Sequence, residues 1–407
     1  MPSRTDSSPA PIAAVDLDAD AIPYARTLLA LPLAELAVMQ RTIEVMFRTA
    51  HSRAYTERVD RDADVVARTE SGAFGVFMGY DFHLTESGPR LIEVNTNAGG
   101  ALLNGLHTAA TCEPEKLEWL CCDPPPVEDV EATIVRSFRS ELESARGAGA
   151  KLANVAIVDE RPAEQFLRSE FELFVGLFAR HGIHAQCADT RELVRSPGGG
   201  IALNGRPIDL VYLRDTDFQL SQARTAILRD AYLAGEVVVT PSPREHHLLA
   251  DKRRLEIFSS RGRLESLGVD PGDARFLVEV VPETRRLDSM PLDEIWAARR
   301  DWVFKPAASF GSKAVYRGDK ISKKKLAEIH ADPDFLAQRR VAPGTTPVVT
   351  PEGEREMKFD VRAYAYREEI FLLGARVYEG QVTNMRSPGG GFSAICVARG
   401  EDPCCPA

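Results

Sequence analysis

The sequence, 407 residues long, predicts an α+β fold joined to an additional small α/β domain. Three observations carry that reading. Residues 77–95 and 359–376 each read as two short strands around turn formers, Glu86-Ser87-Gly88-Pro89 in the first and Arg367-Glu368-Glu369 in the second. Residues 22–52 carry apolar side chains at helical spacing, from Leu28 and Leu29 through Met39 and Ile43 to Met46 and Phe47. Between the two hairpins, a buried-strand pattern at 155–159, a helical pattern at 168–180 and a second strand at 183–187 make a βαβ unit of roughly thirty residues.

Taken in order, residues 1–20 lack an apolar core behind a basic start, so they read as a flexible leader and not as a secretory signal. Residues 22–52 read as one or two helices. The polar stretch 58–69 leads into a strand at 74–81, and 91–95 is its partner. Residues 101–111 form an apolar helix. The run Cys122-Asp123-Pro124-Pro125-Pro126 breaks the chain and sets a boundary. An amphipathic helix at 127–148 then leads to the βαβ unit, whose helix ends at Gly182. Asn204-Gly205 marks a hairpin turn. Strands follow at 207–214 and 237–241, and a helix begins at 248–255. Residues 302–306 are a strand, 307–313 a small-residue loop, and 314–316 a resumed strand. After the second hairpin, Thr383-Asn384 and Gly389-Gly390-Gly391 form a loop.

A net charge of −10 and a pI near 5.5 argue against a nucleic-acid backbone as partner. No run of about 18 apolar residues occurs, so no membrane span is expected. Seven cysteines without a Cys-x-x-Cys pair support zinc poorly. Their scatter suits a reducing compartment, and the expected location is cytoplasmic. The closing Cys-Cys-Pro-Ala reads as a frayed tail, since a prenylation box would want a basic run before it.

The chemistry gathers at a few places. Alternation puts Glu93 and Asn95 on one face of their strand, and pairing brings Asp81 to it. Two carboxylates and an amide oxygen are the hard donors that Mg²⁺ prefers, although a hairpin with solvated acids has the same residues. Small residues after Asn95 let the backbone approach a ligand. Lys305 ends a strand before a small-residue loop, which suits a flap over phosphates, yet no Walker loop is present. Asp360 and Arg362 share a face, and Arg376 ends the next strand; cross-strand ion pairing is the plain alternative. Arg214 and Asp217 sit at the C-terminal end of a strand, where open α/β sheets place ligands. Arg214 suits a substrate carboxylate as well as a structural Arg–Asp pair.

Together these blocks resemble the ATP-grasp ligases. The matching residues are Asp81 with Glu93-x-Asn95, Lys305 with its loop, the stretch 335–344, Asp360-x-Arg362, Arg376, and Asn384 before Gly389. The metal block leads here, whereas in the family it comes last, so the resemblance is to circularly permuted members such as glutathionylspermidine synthetase-like enzymes. It implies an ATP-grasp fold, circularly permuted, divided as a leader 1–20, a permuted metal-site part 21–125, a pre-ATP-grasp-like α/β domain 126–245, a nucleotide-flap subdomain 246–345, a core hairpin and loop 346–400, and a tail 401–407. It implies ATP and a pair of Mg²⁺ ions, with Asp81, Glu93 and Asn95 on the metal. Lys252, Lys305, Gly311, Ser312, Lys313, Gln338 and Asp360 would bind the nucleotide, and main chain of 335–344 would read adenine. Arg376, Arg362 and Asn384 would serve catalysis, and Arg214, Asp217, Arg386 and Gly390 the substrate. The activity implied is an ATP-dependent, ADP-forming carboxylate–amine ligase that forms an amide or peptide bond through an acyl phosphate. An inactive ATP-binding partner or sensor, or a kinase-like phosphotransferase, are the alternatives. Small-molecule or peptide carboxylates and amines are the expected partners, with no nucleic acid and no membrane. Oligomeric state is not readable.

Overall fold

The computed structural model describes residues 24–96, 98–111, 127–307, 314–350, 352–381 and 383–398. The leader, the proline-rich boundary at 122–126, the flap residues Gly311, Ser312 and Lys313, and the tail lie outside the described residues.

Strand Gly353–Tyr366 is the spine of a seven-stranded sheet. On one side it pairs with Glu369–Tyr378, then Gly391–Ala398, then Tyr24–Pro32. On the other its outer half takes Gly344–Thr350 and its inner half takes Met78–Thr85, which carries Gly88–Asn95. Every pairing is antiparallel except that of Tyr24–Pro32 with Gly391–Ala398, which is parallel. Strands from the two ends of the sequence thus share one sheet.

Tyr24–Pro32 corrects the helical reading of 22–52. Helix Leu33–Ala50 begins only after Pro32. Ala25, Leu29 and Leu31 are buried at even spacings, as one face of a strand requires, and the backbone partners lie at Leu28↔Ala394 through Pro32↔Ala398. A pairing that far away in sequence leaves no mark in a local periodicity. The expected strand at 74–81 likewise moves to Met78–Thr85, with the turn at Glu86-Ser87.

A second sheet is fully parallel, in the order Val238–Thr240, Leu210–Leu213, Asn154–Asp159, His184–Asp189. Helices Val127–Arg146 and Arg168–Arg180 supply apolar side chains to its core. Phe77 from the loop before Met78–Thr85 joins Phe138, Phe174 and Tyr212 there, with ring centroids 5.1–6.3 Å apart. That aromatic cluster fixes this sheet against the large one. The Asn204-Gly205 turn has positive φ at both residues, 49° and 77°, the hairpin turn its sequence asks for.

The third sheet is antiparallel, in the order Thr284–Arg286, Phe335–Arg339, Trp302–Pro306, Tyr316–Arg317. Its core of Leu287, Ile295, Phe304 and Leu326 is separate from the others. The stretch before it departs from the expected helix at 248–255. His246–Ala250 is a π-helical turn, Asp251 accepts the Arg253 N–H at 3.0 Å, and Leu255–Phe258 restarts as α-helix. Leu248, Leu249, Leu277 and Val280 pack into the core of the large sheet with Met46, Phe82 and Val361. The flap sheet is therefore anchored through a helical segment that belongs to the large-sheet core. Among the described residues no helix is long and apolar enough to cross a membrane. Among the described residues Cys187 is a free thiol and Cys396 is disulfide-bonded.

Candidate active site

A cleft of about 360 Å³ opens between the large sheet and the flap sheet. Strand register explains what lines it. Asp81 lies opposite Glu93 on one neighbour and Arg362 on the other, and Asp360 lies opposite Arg376. Residues directly opposite in a sheet share a face. The front hairpin therefore delivers Asp81, His83, Glu93 and Asn95 to the cleft, and the rear hairpin delivers Lys358, Asp360, Arg376 and Tyr378. The flap sheet faces them with Lys305, Arg317 and Gln338, and 339–343 close the side.

Asp81 is the hub. It is 2% exposed, and four hydrogen bonds reach its carboxylate. Arg362 donates twice, from Nε at 2.6 Å and Nη2 at 2.7 Å; Arg376 Nη2 donates at 2.8 Å and Asn95 Nδ2 at 3.0 Å. Burial works against the charged form, but the two guanidinium groups outweigh it and hold the Asp81 carboxyl below its ordinary range. Arg376 also donates from Nε to Asp360 at 2.6 Å, and Thr383 Oγ1 donates to the other Asp360 oxygen at 2.8 Å. Arg362 sits behind the cleft wall and takes part through Asp81.

Lys305 Nζ donates to Gln338 Oε1 at 2.8 Å, and Gln338 Nε2 donates to the Ile92 carbonyl at 3.1 Å. Gln338 thus orients the lysine and ties the flap to the front hairpin, so its side chain is committed away from a base. Burial pulls the Lys305 ammonium below its ordinary pKa, with Glu93 and Asp81 pulling the other way. His83 Nδ1 lies 3.0 Å from the Val341 carbonyl, and burial lowers its pKa. Seven Lys and Arg side chains line the cleft (Lys252, Lys305, Arg317, Arg339, Arg340, Lys358, Arg376) against three carboxylates, Asp81, Glu93 and Asp360. Arg317 and Arg340 also pair with Asp319, and Arg339 with Glu283 and Asp301, so the surplus of positive charge rests on the lysines, and it suits an anionic ligand.

Among the described residues no three His, Cys, Asp or Glu side chains gather into a metal cage. Glu93 differs from Asp81 in that, among the described residues, its one hydrogen bond is from Asn95 Nδ2, at 3.4 Å, and it lines the cleft with lone pairs to spare. Glu93 and the Asn95 oxygen fit a hard divalent cation that completes its shell from phosphates and water. Asp81 is engaged by arginines instead.

The remaining expected residues lie elsewhere. Asn384 is exposed, and its Oδ1 accepts the Arg386 N–H at 3.1 Å. Arg386 lies over the Phe166 ring at 4.7 Å. A Cβ on Gly390 would sit 2.9 Å from the Val377 carbonyl oxygen, so that turn needs glycine for its own closure. Arg214 is buried, with Nη1 donating to Tyr212 Oη at 3.1 Å and Glu170 3.9 Å away. Asp217 accepts from Ser221 N–H, Ser221 Oγ, Gln222 N–H and Thr225 Oγ1, a loop cap with no lone pair left for a ligand. His83, Lys358 and Tyr378 were missed by the sequence reading. The signal was present: each is two residues from Asp81, Asp360 or Arg376 on the same strand face.

No protein-family model matches the chain, and no curated protein matches it. Among solved structures it is similar to a proposed gamma-glutamylcysteine synthetase from Methylobacillus flagellatus KT, at 12% identity over 90% of this chain and 88% of that one, with a TM-score of 0.46. It is also similar to the D-cycloserine synthetase DcsG, at 13% identity over 60% and 72%, TM-score 0.31. A third is a RimK domain protein ATP-grasp from Sphaerobacter thermophilus, at 16% identity over 60% and 90%, TM-score 0.29. All three scores lie below 0.5, so the fold is read from the sheets and the cleft alone.

Proposed function

We propose that the chain is an ATP-dependent carboxylate–amine ligase of the ATP-grasp type, circularly permuted, forming an amide or peptide bond and releasing ADP. One observation carries this reading: residues from the front and rear of the sequence, Asp81, Glu93 and Asn95 with Lys305, Asp360 and Arg376, line a single cleft rich in positive charge. The permuted order is supported by the hairpin 78–95, which precedes the other site residues in sequence yet pairs with Gly353–Tyr366 in the sheet.

In this reading Lys305, Lys252 and the flap hold the phosphates of ATP, and the main chain of 339–343 faces the base. Glu93 and Asn95 would hold Mg²⁺, and Asp81 would join them only by releasing an arginine. Bound there, the ion neutralises phosphate charge. The γ-phosphoryl group passes to a substrate carboxylate oxygen as its bond to ADP breaks. The amine nitrogen then bonds to the acyl carbon, phosphate leaves, and the surplus amine proton goes to solvent. Arg376, kept charged by Asp360 and Asp81, stabilises the oxyanion of that step without transferring a proton. The Arg362–Asp81–Arg376 network pre-sets its geometry.

The test is an ATP-consumption screen across carboxylate and amine pairs, with ADP, phosphate and product mass measured. Turnover that needs both substrates and yields an amide mass supports the ligase. Turnover without an amine favours a phosphotransferase, and tight ATP binding with no turnover on any pair favours a sensor.

A further inference from the structure

His83 is a cleft residue that the proposed chemistry leaves unused. It lies on the same face of strand Met78–Thr85 as Asp81, one step further from the arginines, and lines the cleft. Its ring is fixed from the side of 339–343, where Nδ1 lies 3.0 Å from the carbonyl oxygen of Val341. A carbonyl only accepts, so Nδ1 carries the proton, and in the neutral imidazole the lone pair is then on Nε2. Among the described residues Nε2 has no hydrogen-bond partner. The charged groups around the ring come from each element that packs on it: Asp360 from the rear hairpin, Lys305 from the flap, Arg90 opposite on the front hairpin, and Asp81 on its own strand.

Phosphate oxygens only accept at neutral pH, so they are the wrong partner for that lone pair. The groups of a nucleotide that donate are the sugar hydroxyls and the base amino group. We propose that His83 is a nucleoside-reading residue, accepting through Nε2 a hydrogen bond from a hydroxyl or amino donor on the ligand while the Val341 carbonyl holds its ring in place. This rests on the nucleotide reading of the cleft.

Calorimetric titration of the full chain with ATP, 2′-deoxy-ATP, 3′-deoxy-ATP and ITP, each with Mg²⁺, tests it on the unaltered protein and on His83→Phe and His83→Gln. His83→Phe is expected to weaken ATP binding by about three- to tenfold. His83→Gln, whose amide carries both an acceptor and a donor, is expected to recover most of that. One analogue should show a similar loss on the unaltered protein and no further loss on His83→Phe, the coupling expected of two groups in contact. A deoxy analogue in that role identifies a sugar hydroxyl, and ITP identifies the base amino group. If His83→Phe binds ATP like the unaltered protein, or if every analogue loses the same factor on both, the inference is overturned. Should His83→Phe not fold, equal binding of all four nucleotides by the unaltered protein overturns it too. Failure of the unaltered protein to bind ATP overturns the nucleotide reading and this inference together, whereas intact binding without coupling overturns this inference alone.

Discussion

The cleft wall and the C-terminal edge of the parallel sheet both collect acids and arginines at strand ends, yet they spend them differently. At the parallel sheet, Asp215 accepts from Arg224 Nε at 2.8 Å, Arg224 Nη2 at 2.7 Å and Thr190 Oγ1 at 3.1 Å, and Asp217 is consumed by its own loop. Those charges face one another. In the cleft, the arginines on Asp81 form a comparably tight network, but Glu93, Lys305 and Lys358 line 360 Å³ of open volume, and the hydrogen-bond partners of the two lysines among the described residues, Gln338 Oε1 and the Gly380 carbonyl, are neutral. Position at the end of a strand therefore does not make a site. What distinguishes one is a charge whose best available partner is not protein.

Four experiments break or sharpen that contrast. The largest effect is expected from Glu93→Gln, which removes the open carboxylate: turnover should fall by about 10³-fold or more while the thermal midpoint stays put. Activity like that of the unaltered protein would remove Glu93 from the site. Next is Asp81→Asn, which leaves Arg362 buried without its counter-charge and Arg376 with Asp360 alone. Urea unfolding should report a loss of about 3–5 kcal/mol, and a loss well under ~1 kcal/mol would show that the network is not what holds the wall together.

The third concerns Asp159, at the edge of the parallel sheet. Burial pushes its carboxyl up to about 7, against the pull of Arg214. Because the folded value lies above the unfolded one, its contribution is fully present below about pH 4 and is lost as pH rises to about 7. Asp159→Asn, neutral throughout, should gain about 2–4 kcal/mol on the unaltered protein across that window. A stability difference that is flat from pH 4 to 8 would contradict it. The smallest effect belongs to Asp217→Ala, about 1–2 kcal/mol of stability from lost loop hydrogen bonds, with ATP affinity unchanged. A tenfold fall in affinity there would make the strand edge part of a ligand site and end the contrast.

What was legible in the sequence follows the same division. Alternation within one hairpin is local, so the shared faces of Glu93 and Asn95, and of Asp360 and Arg362, were readable before any pairing was known. The parallel sheet was readable because strand, helix and strand follow directly. Which hairpins lie beside each other was not. The Asp81–Arg362 and Asp81–Arg376 bonds come from a register between strands that the sequence keeps far apart. The same cause hid strand Tyr24–Pro32, whose leucines fit helical spacing as well as alternate burial. At 246–254 the composition suits a helix, but the Asp251 side chain takes up a backbone N–H and ends the run. His83, Lys358 and Tyr378 follow from the same alternation, two positions from Asp81, Asp360 and Arg376 on their strands.

The edge strand Tyr24–Pro32 sets a timetable for synthesis. It and the hairpin at 78–95 leave the ribosome well before the strands they pair with, Gly391–Ala398 and Gly353–Tyr366. Until then the early segments have sticky backbone edges and no sheet to join. The parallel sheet and the flap can settle on the nascent chain, but the cleft between the flap and the large sheet comes into being only once 353–398 have been made.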